Sequence, residues 1–190
     1  MKNRTQLAKL FNWVGYKVGA EIGVCSGTYS QILCKNNPDL KLYCIDNWGK
    51  GVRVDKRWER KFEEAKSRLA PYNTTIIRKL SMDAVKDFED ESLDFVYIDA
   101  NHSYNSVKED ISAWTPKVRK GGTVAGHDYY LTRAGNIGVI AAVNEYVKEH
   151  GYELELTEWD LDSMPYTEPE THHYKIGDEQ QPNWYFIKDK

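Results

Sequence analysis

From Lys17 to about His150 the chain alternates short apolar runs with segments of helical spacing, and that alternation most constrains what it can fold into. Lys17–Val24 reads as a first strand, followed by a helix over Tyr29–Lys35 that stops at Asn36-Asn37-Pro38. Leu40–Ile45 is a second strand. Arg57–Leu69 then carries Trp58, Phe62, Ala65 and Leu69 on helical spacing and ends before Pro71. Thr74–Arg78 is a β-branched third strand, with a short helix from Ser81, and Leu93–Ile98 is a fourth. The spacing predicts a helix over Ser103–Val118, a turn at Gly121-Gly122, a strand over Thr123–Gly126 and a helix over Gly138–Glu149 capped by Gly151. Tyr152–Thr157 and Asn183–Lys188 close the chain as a strand pair. Parallel strands need crossover helices, so the pattern predicts a seven-stranded α/β sheet with helices on both faces. It is mostly parallel, with one antiparallel C-terminal strand. No repeat or linker divides residues 1–190, which are expected to form a single domain.

The first strand breaks into Ala20-Glu-Ile-Gly-Val-Cys-Ser-Gly-Thr28, and the second ends on Asp46. Gly23 and Gly27, with Val24 between them, leave bare backbone against which a ligand can lie. Asp46 is placed to accept hydrogen bonds from both hydroxyls of a ribose, so an adenosine-containing ligand is expected. The spacing is not the dinucleotide fingerprint G-x-G-x-x-G. It is Glu-x-Gly-x-x-x-Gly, and Glu21 would repel a pyrophosphate but suit a cationic amine. Ligands of such sheets sit beyond the carboxyl ends of the strands. Glu21, Asp46, Ser81 and Asp83, Asp99, and His127-Asp128 each follow a strand there.

Composition narrows the remainder. A net charge of −3 offers no basic surface for nucleic acid or an anionic membrane. No apolar stretch is long enough to span a bilayer, and Met1-Lys-Asn-Arg-Thr-Gln is not a signal peptide. Cys25, Cys34 and Cys44 are odd in number and lack metal-site spacing, which points to reduced thiols and a cytoplasmic protein. Cys25 reads either as a small residue beneath the ligand or as a reactive thiol.

Two further segments carry chemistry: Val96-Tyr-Ile-Asp-Ala-Asn-His-Ser-Tyr104 and Gly121-Gly-Thr-Val-Ala-Gly-His-Asp-Tyr129. Asp99 and Asp128, on strand ends, can share a hard divalent cation such as Mg²⁺. His102 reaches the same cavity and has a pKa range suited to taking a proton. Its alternative is a structural histidine capping the helix at Ser103, and Asp99 reads equally as an acid that holds no metal.

The glycine turn with Asp46 resembles motif I and the ribose acid of class I S-adenosylmethionine-dependent methyltransferases. Ile98–Tyr104 and Gly121–Tyr129 resemble the metal-dependent O-methyltransferases of the macrolide-sugar methyltransferase and cephalosporin hydroxylase-like group. The likeness spans about Val18 to Val147 and implies a Rossmann-like, doubly wound fold. It implies S-adenosylmethionine held by Glu21, Gly23, Val24, Gly27, Asp46, Asn47, Ser81, Met82, Asp83 and Asp99, with Asp83 or a backbone amide reading the adenine amino edge. Ser81 has the alternative of capping the helix it opens. The likeness further implies a cation at Asp99, Asp128 and His127, catalysis by His102 and Asp99, and a small-molecule acceptor, a sugar or glycosylated metabolite. Where that group has two adjacent acids this chain has His127-Asp128, which shifts metal preference toward Mn²⁺, Fe²⁺ or Zn²⁺. Acceptor loops are expected at 47–56, 129–136 and 159–181. Two rival readings are a nicotinamide-dependent oxidoreductase and a methyltransferase-like binding protein without turnover; the former lacks its first glycine here.

Overall fold

A computed structural model describes residues 1–50, 55–130, 137–158 and 182–189. The elements in order are α1 (Arg4–Trp13), β1 (Val18–Ile22), α2 (Thr28–Asn36), β2 (Lys41–Asp46), α3 (Lys56–Leu69), β3 (Thr74–Arg78), α4 (Ser81–Ala84), β4 (Leu93–Ile98), α5 (Tyr104–Trp114), β5 (Val118–Gly126), α6 (Gly138–His150), β6 (Glu155–Leu156) and β7 (Trp184–Lys188). The strands form one seven-stranded sheet in the order β3-β2-β1-β4-β5-β7-β6. Strands β1 to β5 pair in parallel, and β7 runs antiparallel between β5 and β6. The chain reverses its direction of travel across the sheet between β1 and β4, the place where such sheets bind ligands.

Side-chain alternation along the strands separates the two faces. Phe95 and Tyr97 of β4 join Leu42 and Cys44 of β2 in a core completed by α1, α2 and α3. Val96 and Ile98 join Ala20, Ile22 and Val124 in the opposite core, against α5 and α6. Both layers are thus covered, as the alternation of strand and helix requires.

Four elements depart most from the sequence expectation, beside a first strand trimmed from Lys17–Val24 to Val18–Ile22. Helix α1 was not anticipated: Asn3 caps it by accepting from the Gln6 amide at 3.2 Å, and Leu7, Ala8 and Phe11 bury one face. Its anchor is Phe11, stacked on Phe95 at 4.3 Å between ring centroids. Helix α5 ends at Trp114, not Val118, because the chain tightens into a 3₁₀ turn at Thr115–Lys117 that accommodates Pro116. Strand β5 consequently begins at Val118, five residues earlier than expected. The sixth strand shrinks from Tyr152–Thr157 to Glu155–Leu156, since at the sheet edge it pairs, among the described residues, only with β7. Among the described residues no helix is long and apolar enough to cross a membrane.

Candidate active site

The parallel register lines up one row of chemistry. Ile45, Ile22, Ile98 and Gly126 share a rung across β2, β1, β4 and β5. The next residue on each strand is Asp46, Gly23, Asp99 or His127, and the ladder carries on into this row. The amides of Gly23, Asp99 and His127 donate to Ile45, Ile22 and Ile98 at 2.8, 2.7 and 3.1 Å. A cavity of about 660 Å³ opens over it, walled by Gly23, Asp46, Asn47, Ser81, Met82 and Asp99 among others. That size is ordinary for a small-molecule site.

Asp46 is fixed by its own strand end. Its Oδ2 accepts from the Cys25 amide at 2.9 Å and its Oδ1 from the Trp48 amide at 2.8 Å. Burial raises its pKa, and these backbone hydrogen bonds oppose that rise. Each carboxylate oxygen keeps a lone pair for a ligand. The glycines also have a packing role that the sequence did not show. A Cβ on Gly23, at φ +95°, would lie 2.0 Å from the Asp99 carbonyl oxygen. On Gly27, at φ +75°, it would meet the Leu69 side chain at 3.2 Å. Both glycines let neighbouring protein close in, and Gly23 also lines the cavity.

The other half of the site is a cluster in which Asp99, His102 and Asp128 bring one ligand atom each within 4.8 Å of one another. His102 Nδ1 lies 2.9 Å from Asp128 Oδ2, and Nε2 lies 3.4 Å from Asp99 Oδ1. These two carboxylates push the His102 pKa up to about 10 despite partial burial. Burial would raise the Asp128 pKa, but the rings of His102 and His127 outweigh it and hold the carboxyl far below the usual range. Asp128 takes a left-handed backbone, φ 59°, uncommon for a residue with a Cβ. Strain of this kind concentrates where function requires a fixed geometry.

Residues 20–129 match the family model described as "Methyltransferase domain". The chain belongs to the methyltransferase-domain family. Solved methyltransferases share its fold at low identity. The O-methyltransferase from Bacillus cereus, in complex with SAH, superposes with a TM-score of 0.65 at 14% identity, over 97% of this chain and 80% of that one. The O-methyltransferase TomG from Streptomyces achromogenes, in complex with SAM, gives 0.66 at 15% identity over 97% and 79%. Precorrin-6y C5,15-methyltransferase from Geobacter metallireducens gives 0.64 at 14% over 96% and 87%. A sequence relative, the uncharacterized protein y4gI of Sinorhizobium fredii, is 25% identical over 125 residues, 63% of this chain. The chain spans 13% of the length of that curated relative.

Several of the expected site residues of this methyltransferase domain lie off the cavity wall. Glu21 is buried, accepts a hydrogen bond from the Ser30 hydroxyl and does not line the cavity. Burial pushes its pKa up to about 8, so the side chain is mostly protonated at neutral pH. Val24 is packed in the core beside α1, α2 and α3. Asp83 is exposed and pairs with Lys86 at 2.9 Å. His127 lies outside the three-residue cluster; its Nδ1 is 3.0 Å from Asp128 Oδ1 and 4.0 Å from Asp99 Oδ1. Ser103 caps α5 itself by accepting from the Ser106 amide, so His102 is not the cap. Leu80, not Ser81, occupies the cap position of α4. Trp48, expected in an acceptor loop, is 1% exposed and belongs to the core. Residues 51–54, 131–136 and 159–181, which hold most of the expected acceptor loops, lie outside the described residues.

Two participants were missed. Arg4 of α1 is buried, with its guanidinium 3.9 Å from Asp99 Oδ2 and 4.9 Å over the Tyr29 ring. The Asn3 cap followed by Leu7, Ala8 and Phe11 was the available signal for the helix that delivers it. Asp110 of α5 lines the cavity, accepts from Ser81 and has its pKa pushed up to about 6 by burial. It sits mid-helix, where an acid reads as a solvated face.

Proposed function

We propose that this chain is an S-adenosylmethionine-dependent O-methyltransferase acting on a hydroxyl of a small molecule. The observation that carries this reading is that Asp99 belongs both to the cavity wall and to the Asp99–His102–Asp128 cluster. Cofactor and acceptor chemistry would therefore meet at one carboxylate. Asp46 would accept the two ribose hydroxyls, and the backbone at Gly23 would receive the ammonium of the methionine portion. Glu21, shielded and hydrogen-bonded by Ser30, would act by holding the turn between β1 and α2.

The donor set fits a divalent cation. Asp128 Oδ1 is buried and, among the described residues, has no aligned hydrogen-bond donor, with His127 Nδ1 standing 3.0 Å away; a carboxylate oxygen so placed beside an imidazole is suited to a shared metal. Asp99 and Asp128 would hold the ion, with His127 beside them, and His102 would keep its one basic lone pair for the acceptor's proton. When bound, it would polarise the acceptor hydroxyl and stabilise the developing alkoxide. Transfer joins the acceptor oxygen to the methyl carbon as the carbon–sulfur bond breaks, and one hydroxyl proton must leave. His102 would take that proton, which requires the neutral ring. In the arrangement described here the two carboxylates favour the imidazolium, so deprotonation of His102 precedes its use as a base.

A sugar or glycosylated metabolite is the acceptor class we favour, on the likeness of Ile98–Tyr104 and Gly121–Tyr129. We place acceptor contacts in 47–56, 129–136 and 159–181, and the protein in the cytoplasm, consistent with three free cysteines. The test is calorimetry with S-adenosylhomocysteine, with and without Mn²⁺, followed by labelled methyl transfer to a panel of hydroxylated sugars and phenols. Micromolar nucleoside binding and metal-dependent transfer are expected. No binding at millimolar nucleoside overturns the reading. His127 in place of an acid favours a second one, a binding protein, which binding without transfer to any acceptor would support.

A further inference from the structure

The acid expected to read the base, Asp83, is exposed, paired with Lys86 and absent from the cavity wall. Another acid stands inside. Asp110 is 4% exposed and lines the cavity together with Leu80, Ser81 and Met82. Its Oδ1 accepts from the Ser81 hydroxyl, whose oxygen accepts in turn from the buried Trp114 indole at 2.9 Å. A hydroxyl has one proton, so that of Ser81 is already committed. Asp110 thus has a fixed orientation and, as a carboxylate, further acceptor capacity. Leu80 and Met82 are among the exposed large hydrophobics of the described residues, 46% and 40% exposed, and both belong to this wall. Apolar side chains beside a pure acceptor suit a flat ring bearing an amino group.

We propose that Asp110 accepts a hydrogen bond from the exocyclic amino group of the purine, so that the site selects 6-amino over 6-oxo purine nucleosides. The inference rests on the cofactor reading above. A 6-oxo purine would turn a carbonyl toward the carboxylate, and Ser81 has no proton to offer in compensation. Sites built to receive a donor reject analogues lacking it strongly, because buried polar groups are left unpaired.

The experiment is calorimetry of the full chain with S-adenosylhomocysteine and S-inosylhomocysteine. The wild type is expected to bind the adenosyl compound at least about tenfold more tightly, a difference of roughly 1.4 kcal/mol. Asp110→Asn, whose amide can donate to a 6-oxo group, should bring the two within about threefold. Ser81→Ala, which leaves the carboxylate in place, should retain the preference. Equal binding of both compounds by the wild type overturns the inference and leaves the cofactor reading standing. Binding of neither overturns both. Loss of preference in Ser81→Ala with retention in Asp110→Asn makes Ser81 the reader and also overturns it. If Asp110→Asn does not fold, the wild-type comparison and the Ser81→Ala result still decide.

Discussion

The indole Nε1–H of Trp48 donates to the carbonyl of Cys25 at 2.6 Å, and both residues hold left-handed backbone, at φ 42° and 52°. Between them stands Asp46, which accepts from both of their amides. The three hydrogen bonds close a ring that ties the glycine turn after β1 to the end of β2. Trp48 lies under the site and packs on Phe62 at 4.9 Å between centroids. Its role is to position the Asp46 carboxylate, the group proposed above to receive the ribose.

Removing that tie should weaken nucleoside binding beyond its effect on packing. Trp48→Phe keeps an aromatic ring but loses the indole donor, so the Kd for S-adenosylhomocysteine should rise by roughly tenfold. Asp46→Ala should cost more, at least about 100-fold, because two hydrogen bonds to a charged acceptor are lost. Calorimetry on both variants checks the order. Unchanged affinity in Asp46→Ala would remove the carboxylate from the cofactor site.

Gly23 makes a steric prediction. In Gly23→Ala the new methyl would meet the Asp99 carbonyl oxygen at 2.0 Å, and backbone at φ +95° is unfavourable for alanine. Overpacking and backbone strain each cost about 1–3 kcal/mol, so a loss of roughly 2 kcal/mol or more is expected. Urea denaturation of the ligand-free protein measures it. A loss seen without any nucleoside present would place the glycine requirement in the protein itself. A stability equal to wild type would return it to the ligand.

Much of this architecture is legible in the chain. Thr74–Arg78 and Leu93–Ile98 are strands with the bounds the sequence predicts, because β-branched or apolar runs there end sharply in polar residues. The row Asp46–Gly23–Asp99–His127 is legible for a related reason, since parallel pairing brings successive strand ends to one edge. What escapes are contacts made across the sequence. Nothing local to Gly23 announces the Asp99 carbonyl. Arg4 begins a helix of mixed polarity whose burial depends on Phe95, and it is long-range packing that brings its charge near Asp99. Trp48 reads as a loop residue because its indole partner lies 23 residues away.

Glu21 predicts a pH effect with a definite sign. Its carboxyl is buried and its pKa is raised to about 8 from an ordinary 4.5, so between those values the folded state holds a proton that the unfolded chain releases. The associated stability is full below pH 4.5 and is lost as pH rises through about 8. Glu21→Gln abolishes this titration while still offering Ser30 an acceptor. The variant should match the wild type near pH 5 and exceed it in stability at pH 9, by thermal melts in the two buffers. Parallel wild-type and variant profiles across that range would show that Glu21 is ionised when folded.

His102 should titrate far above an ordinary histidine while the protein holds no cation. Hydrogen bonds to Asp128 and Asp99 raise its pKa to about 10 from 6.5, so its contribution to stability is complete below pH 6.5 and fades as pH climbs through about 10. Imidazole proton resonances followed by NMR in the presence of chelator would read this directly. Asp128→Asn removes the first-named partner and should return the midpoint toward the ordinary value, with Asp99 still supporting part of the shift. Mn²⁺ broadens resonances, so Mg²⁺ is the ion to add; if Asp99 and Asp128 hold it, the His102 midpoint must fall, because the cation takes over the two carboxylates that favour the imidazolium. In turnover assays His102→Ala should lose at least about 100-fold in kcat, the scale of general-base catalysis, while S-adenosylhomocysteine affinity stays within about threefold of wild type. A midpoint near 6.5 in the chelated wild type would dissolve the ion triad, and unchanged kcat in His102→Ala would remove the histidine from the chemistry.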